Sequence, residues 1–134
     1  MKTLVIGGSG FLGSHVCDKL SEVGHQVLVY DRVPSPWLRT EQKMIVGDLL
    51  DDAKLTEAVV GCDVVYNFAA LADLEEAQNE PLETARMNVL GNVMVLEACR
   101  QANVQRFVYA STIYVYSREG GFYRCSKQSA EHYV

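Results

Sequence analysis

Lys2-Thr3-Leu4-Val5-Ile6-Gly7-Gly8-Ser9-Gly10-Phe11-Leu12-Gly13 is the stretch on which the fold turns. Its first five residues are short, β-branched and apolar, the pattern of a buried strand, and they run straight into glycines that permit a tight turn. Residues 11–23 then change period: Phe11, Leu12, Val16, Leu20 and Val23 recur at helical spacing, and Gly24 stands where a helix stops. The glycines fit two registers at once, GxGxxG from Gly8 and GxxGxxG from Gly7. Both make the same physical demand. Gly7 and Gly10 let the backbone turn and approach a pyrophosphate, and Gly13 lets the helix pack close to the strand. The helix N-terminus offers free N–H groups and a positive dipole end to phosphate.

Outward from this unit the chain alternates. Residues 26–30, Lys43–Val46, 63–68 and 106–110 read as further strands; residues 11–23, 51–60, 82–102 and 123–134 read as helices. Nearly continuous apolar strands separated by helices predict a parallel sheet covered on both faces, a doubly wound α/β (Rossmann) domain filling residues 1–134. With 49% hydrophobic and 22% charged residues, the chain can bury a core rather than remain disordered. A net charge of −5 without a basic run argues against nucleic acid or an anionic membrane as partner. Cys17, Cys62, Cys99 and Cys125 form no CxxC pair, which predicts reduced thiols, a cytoplasmic setting and no metal site.

Asp31 closes the second strand, 18 residues after Gly13. A carboxylate there can accept from ribose hydroxyls and repels a 2′-phosphate, so the expected cofactor is NAD rather than NADP. Arg32 beside it is the residue that could contact a 2′-phosphate. His15 is expected to be a packing or surface residue.

Together with the glycine loop, Gly47-Asp48-Leu49, Phe68-Ala69-Ala70-Leu71 and Tyr123-Arg124-Cys125-Ser126-Lys127 make the chain resemble a known family. It is similar to the extended short-chain dehydrogenase/reductases, and among them to the NAD-dependent epimerase/dehydratase group. The resemblance implies that Phe11 and Leu12 lie over the pyrophosphate and that Asp48 and Leu49 contact the adenine. It also implies that Phe68, Ala69, Ala70 and Leu71 wall the nicotinamide ribose, and that Asn88 orders the catalytic groups near the cofactor. In Ser111-Thr112, Thr112 matches the position that binds the substrate hydroxyl, with Ser111 its neighbour on the cofactor side. Dehydratases of the group place Asp-Glu directly after that Thr; here Ile113 and Tyr114 stand there, which disfavours water elimination. Members also continue into a C-terminal substrate domain that the 134 residues do not include.

Tyr123 and Lys127 are four apart and share a helix face. A tyrosine of pKa about 10 is a poor base at neutral pH. A nearby ammonium, with the positive nicotinamide ring, would lower it into the working range. The expected catalytic set is Tyr123, Lys127 and Thr112, with Tyr123 and Lys127 also touching the cofactor. The leading expectation is an NAD-dependent epimerase of nucleotide sugars or related small molecules, working as a homodimer. The alternatives are a net NAD-dependent dehydrogenase or reductase and a non-catalytic NAD-binding module.

Overall fold

A computed structural model describes all residues, Met1–Val134. Five strands, β1 (Lys2–Ile6), β2 (Gln26–Asp31), β3 (Lys43–Val46), β4 (Val64–Asn67) and β5 (Arg106–Tyr109), form one sheet in the order β3-β2-β1-β4-β5. Every pairing is parallel; Leu4 lies between Leu28 of β2 and Val65 of β4. The doubly wound α/β sheet expected from the alternating pattern is the one observed.

Strand alternation sorts the core. Leu4, Ile6, Tyr30 and Val65 point to one face and meet α2 (Asp52–Val59) and α5 (Gly91–Gln101) through Leu55, Val59, Val95 and Ala98. Val5, Val27 and Val29 point the other way onto Cys17 of α1 (Phe11–Glu22). Side chains as fully buried as Leu4, Val5 and Ile6 each contribute about 1.5–3 kcal/mol. The helix turn signals are in place: Gly24 has φ +84°, and Asp51 caps α2 by accepting from the Lys54 N–H at 3.1 Å.

The predicted helix over 82–102 is not one regular helix. It is α4 (Pro81–Ala85), a π turn (Arg86–Leu90) and α5, in one continuous path. The Gly91 N–H bonds the Arg86 carbonyl, five residues back, which inserts an extra residue into the turn. The stripe of Met87, Met94, Val95 and Ala98 serves the chain's own core, while Leu90 stays half exposed. Two further elements have no clear sequence signal: α3 (Leu74–Asn79), capped by Asp73, and a 3₁₀ turn (Ile113–Tyr116). The last helix, α6 (Gly121–Glu131), starts two residues before the expected Tyr123, with Gly120 as its cap at φ +90°.

Helix α6 is fastened to the sheet by buried amides. Asn67, at the end of β4, donates to Asn92 Oδ1 of α5 at 3.0 Å, and Asn92 donates to the Ala130 carbonyl of α6 at 3.4 Å. All three residues are buried, so an amide removed here leaves its partners without water to replace it. Asn92→Leu should therefore cost about 2–4 kcal/mol in urea unfolding, one to two orphaned polar groups. The amide protons of α6 should lose protection with it.

Candidate functional site

The glycine loop separates two kinds of glycine. A Cβ on Gly7 would lie 2.6 Å from the Ala69 nitrogen, and one on Gly13 would run into the Gly7 carbonyl and sit 2.8 Å from Gly8 Cα. These two are demanded by the chain itself, and Gly7 also sits at φ +77°. Gly10 differs. A Cβ there would meet nothing closer than the Gly7 carbonyl oxygen at 3.4 Å, an ordinary contact. Gly10 lies at the N-cap of α1, lines an open groove, and no side chain caps the helix. The free space over Gly10, with uncapped N–H groups behind it, is what a dinucleotide pyrophosphate needs. Phe11 and Leu12 follow it on the surface, 85% and 54% exposed, outside the groove lining.

Asp31 and Arg32 line the same groove beside Gly47 and Leu49. The Asp31 carboxylate accepts from the Ser9 N–H at 2.9 Å and from the Val33 N–H at 3.2 Å, so it also braces the glycine loop. Asp48 is exposed and does not line the groove; its carboxylate accepts from the Leu50 N–H, and its carbonyl accepts from the Tyr30 hydroxyl at 2.7 Å. A Cβ on Gly47 would stand 2.5 Å from that hydroxyl, so Tyr30 requires glycine there. Burial, with Asp51 and Asp48 nearby, pushes the Tyr30 phenol up to about 12. The groove continues along Phe68, Ala69, Ala70 and Leu71.

Asn88 sits buried behind that wall, in the π turn. Its Oδ1 accepts from the Leu71 N–H at 2.8 Å, and its Nδ2 donates to the Leu71 carbonyl at 3.0 Å and to Ser126 Oγ at 2.9 Å. One amide thus joins the groove wall to α6, one residue before Lys127.

At the far end, the Thr112 hydroxyl caps the 3₁₀ turn by accepting from the Tyr114 N–H and lies near enough to the Tyr123 phenol to act on it. Tyr114 packs edge-on against Tyr123, ring centroids 6.4 Å apart. In the ligand-free chain, burial holds the Tyr123 phenol above its ordinary value, Thr112 draws it down, and Tyr114 adds to the rise. The net direction is therefore opposite to the lowering expected from the Tyr–Lys spacing, because burial dominates and Lys127 is not among the groups acting on the phenol. Lys127 is 3% exposed, with its ammonium 4.1 Å above the centre of the Tyr109 ring. Burial pulls it down to about 8, partly opposed by Glu131. Ser111 donates its hydroxyl to Glu131. Thr112, Tyr123 and Lys127 do not line the groove itself; Asn88 links the two. His15 is exposed on α1 and bonds the Phe11 carbonyl. Asn67, Asn92, Tyr109 and Glu131 escaped the sequence reading, although a polar Asn inside Val64-Val65-Tyr66-Asn67 was a usable signal.

A model of the family described as NAD dependent epimerase/dehydratase matches residues 3–134. The chain belongs to that family. It is 34% identical over 128 residues to a UDP-glucose 4-epimerase of Klebsiella pneumoniae, covering 87% of this chain and 92% of that one. A 3-beta-hydroxysteroid dehydrogenase of Mycolicibacterium neoaurum is 38% identical over 117 residues, 83% of this chain but 32% of its own. The solved UDP-glucose 4-epimerase from Brucella ovis, in complex with NAD, superposes with a TM-score of 0.91 at 32% identity. That match takes in 99% of this chain and 46% of the Brucella chain. The chain thus spans about half of that solved relative. The groove residues have the chemistry a dinucleotide needs: open space beside Gly10 and a carboxylate, Asp31, in the lining.

Lys127 yields a stability test. Its ammonium is disfavoured in the fold, so below pH 8 the folded state carries a roughly constant cost, which disappears as pH rises from about 8 toward the ordinary lysine value of 10.5. Lys127→Met should raise unfolding free energy at neutral pH by on the order of 1–3 kcal/mol. The gap to wild type should close between pH 8 and 10.5.

Proposed function

We propose that residues 1–134 form the NAD-binding domain of an epimerase acting on a nucleotide sugar, with Tyr123, Lys127 and Thr112 as its catalytic set. The observation carrying this reading is the placement of Tyr123 one helical turn from a buried Lys127, on a helix that Asn88 ties to the groove wall. In this reading bound NAD supplies a hydride acceptor that returns the hydride to the same carbon. The chain's own residues do the rest. Gly7, Gly10 and the start of α1 hold the pyrophosphate, and Asp31 accepts from the ribose. Leu49 borders the adenine, with Asp48 next to it outside the groove lining, and residues 68–71 wall the nicotinamide end. Thr112 holds the substrate hydroxyl, and Tyr123 takes its proton once a nearby cation offsets the upward pull of burial. Lys127 is the cation that α6 supplies. UDP-glucose 4-epimerases among the relatives support the nucleotide-sugar class. The proposed assembly is a cytoplasmic homodimer; no helix is long and apolar enough to cross a membrane, and all four cysteines are free thiols.

A second reading, net NAD-dependent dehydrogenation or reduction, is favoured by the 38% identity to the steroid dehydrogenase. The two separate on one readout. An epimerase leaves the amount of reduced nicotinamide constant during turnover, whereas a dehydrogenase accumulates it in proportion to substrate.

Cofactor choice follows from Asp31. NAD should bind at least several-fold tighter than NADP, because the 2′-phosphate would face a carboxylate. In calorimetric titration, Asp31→Ala should narrow that ratio and also weaken both cofactors, since the Ser9 N–H loses its acceptor. Equal affinities in the wild type would contradict the assignment.

Tyr123→Phe removes one oxygen and keeps the ring against Tyr114. In a chain spanning the full length of its relatives, turnover should drop by about 10² or more, with NAD affinity within twofold of wild type. Wild-type turnover in that variant would take Tyr123 out of the mechanism.

A further inference from the structure

Lys127 is buried on α6, and its ammonium makes no salt bridge. What meets the charge is a ring. The nitrogen stands 4.1 Å from the ring centre of Tyr109, the last residue of β5, well inside the range of a cation–π contact. The ring is held from the sheet side. Phe107, two residues earlier on the same face of the strand, lies nearly parallel to it with centroids 6.5 Å apart. Tyr109 also pairs in the ladder with Asn67, the residue tied through Asn92 to the Ala130 carbonyl of α6. The strand end that carries the ring and the helix that carries the lysine are thus fastened to the same buried amides. The Tyr109 hydroxyl takes no part in this, being buried without a hydrogen-bond partner. The part of Tyr109 that finds a polar partner is its ring.

We propose that Tyr109 is a positioning residue for Lys127: the face of its ring seats the ammonium at the end of β5 and leaves the N–H groups free for a ligand. The inference rests on the reading of Lys127 as the cation serving Tyr123 and the cofactor. An ammonium taken out of water needs something to replace its hydration. A carboxylate in direct contact would do so by engaging the N–H donors and cancelling the charge. A ring face attracts the charge through its quadrupole and leaves it intact. The charges on elements packed against α6 are Glu75 and Glu76 of α3, Glu83 of α4 and Arg86 of the π turn, with Arg124 and Glu131 on α6 itself. Glu131 is the one acting on the lysine, and no salt bridge joins the two.

The test compares two rings of nearly one shape in the ligand-free chain. Tyr109→Phe removes only the unpartnered hydroxyl, whereas a trifluorinated phenylalanine in place of Tyr109 keeps the ring but strips electron density from its face. Lys127 is followed through the resonances of its ε-methylene group, assigned by their loss in Lys127→Arg. In the wild type and in Tyr109→Phe these protons should lie upfield of an ordinary lysine, as expected over a ring face, with a titration midpoint at about 8. With the fluorinated ring the midpoint should fall by about half a pH unit or more, since Glu131 and every other neighbour is unchanged. Equal midpoints with the two rings would make Tyr109 a packing residue and overturn the proposal. Wild-type ε-methylene protons at the ordinary lysine position overturn it too, whether or not the variants fold. NAD titration of the same samples keeps the two readings apart. Separated midpoints in a chain that does not bind NAD remove the cofactor reading and leave the seat; NAD binding with equal midpoints removes the seat alone.

Discussion

The amide of Asn88 is the contact on which the site depends. A parallel sheet delivers its functional residues at the C-terminal ends of strands, where the backbone leaves the ladder and nothing regular holds it. After β4 that loose end is the wall from Phe68 to Leu71, and the helix bearing Tyr123 and Lys127 follows only after fifty further residues. Asn88 closes the distance by pairing both backbone groups of Leu71 and giving its remaining donor to Ser126. Asn88, in the π turn, and Asn92 stand four residues apart and both reach α6. Burial makes the arrangement rigid, because an amide that turned away would orphan several polar groups at once.

The other end of the groove is built by exclusion. Gly7 and Gly13 are glycines because backbone atoms already occupy the space a side chain would need. Gly10 has no such crowding, and the space beside it opens onto the groove. The same logic places Gly47, which yields to the Tyr30 hydroxyl that pins the Asp48 carbonyl. Asp31 serves both the loop, through the Ser9 N–H, and the groove, whose lining it joins.

Much of this was legible in the sequence, for physical reasons that also mark where legibility ends. The strand–glycine–helix unit carries two periods and a punctuation change within residues 2–24, and the sheet followed from repeating it. The π turn was hidden, because an extra residue in one turn barely disturbs an apolar stripe spread over residues 82–102. Helix α6 was placed late because Gly120 and Gly121 are poor helix formers; here Gly120 at φ +90° serves as the cap. The Tyr123–Lys127 spacing showed a shared face, but the direction of the phenol's shift depends on burial, which spacing does not carry. Ser111 and Glu131 are twenty residues apart, and nothing local marks either as the other's partner. The site residues were named from motif resemblance. The buried network that holds them in place became visible only in three dimensions.

Backbone amide resonances followed while NAD is added to the chain test most directly whether the glycine-loop groove and the Tyr123–Lys127 face of α6 are parts of a single site. In a single site Ser9–Leu12 and Tyr123–Lys127 shift together, with one saturation curve, and Asn88→Ala uncouples the second group from the first. Saturable shifts in the glycine loop with α6 unmoved would show that the two are separate, and would contradict it.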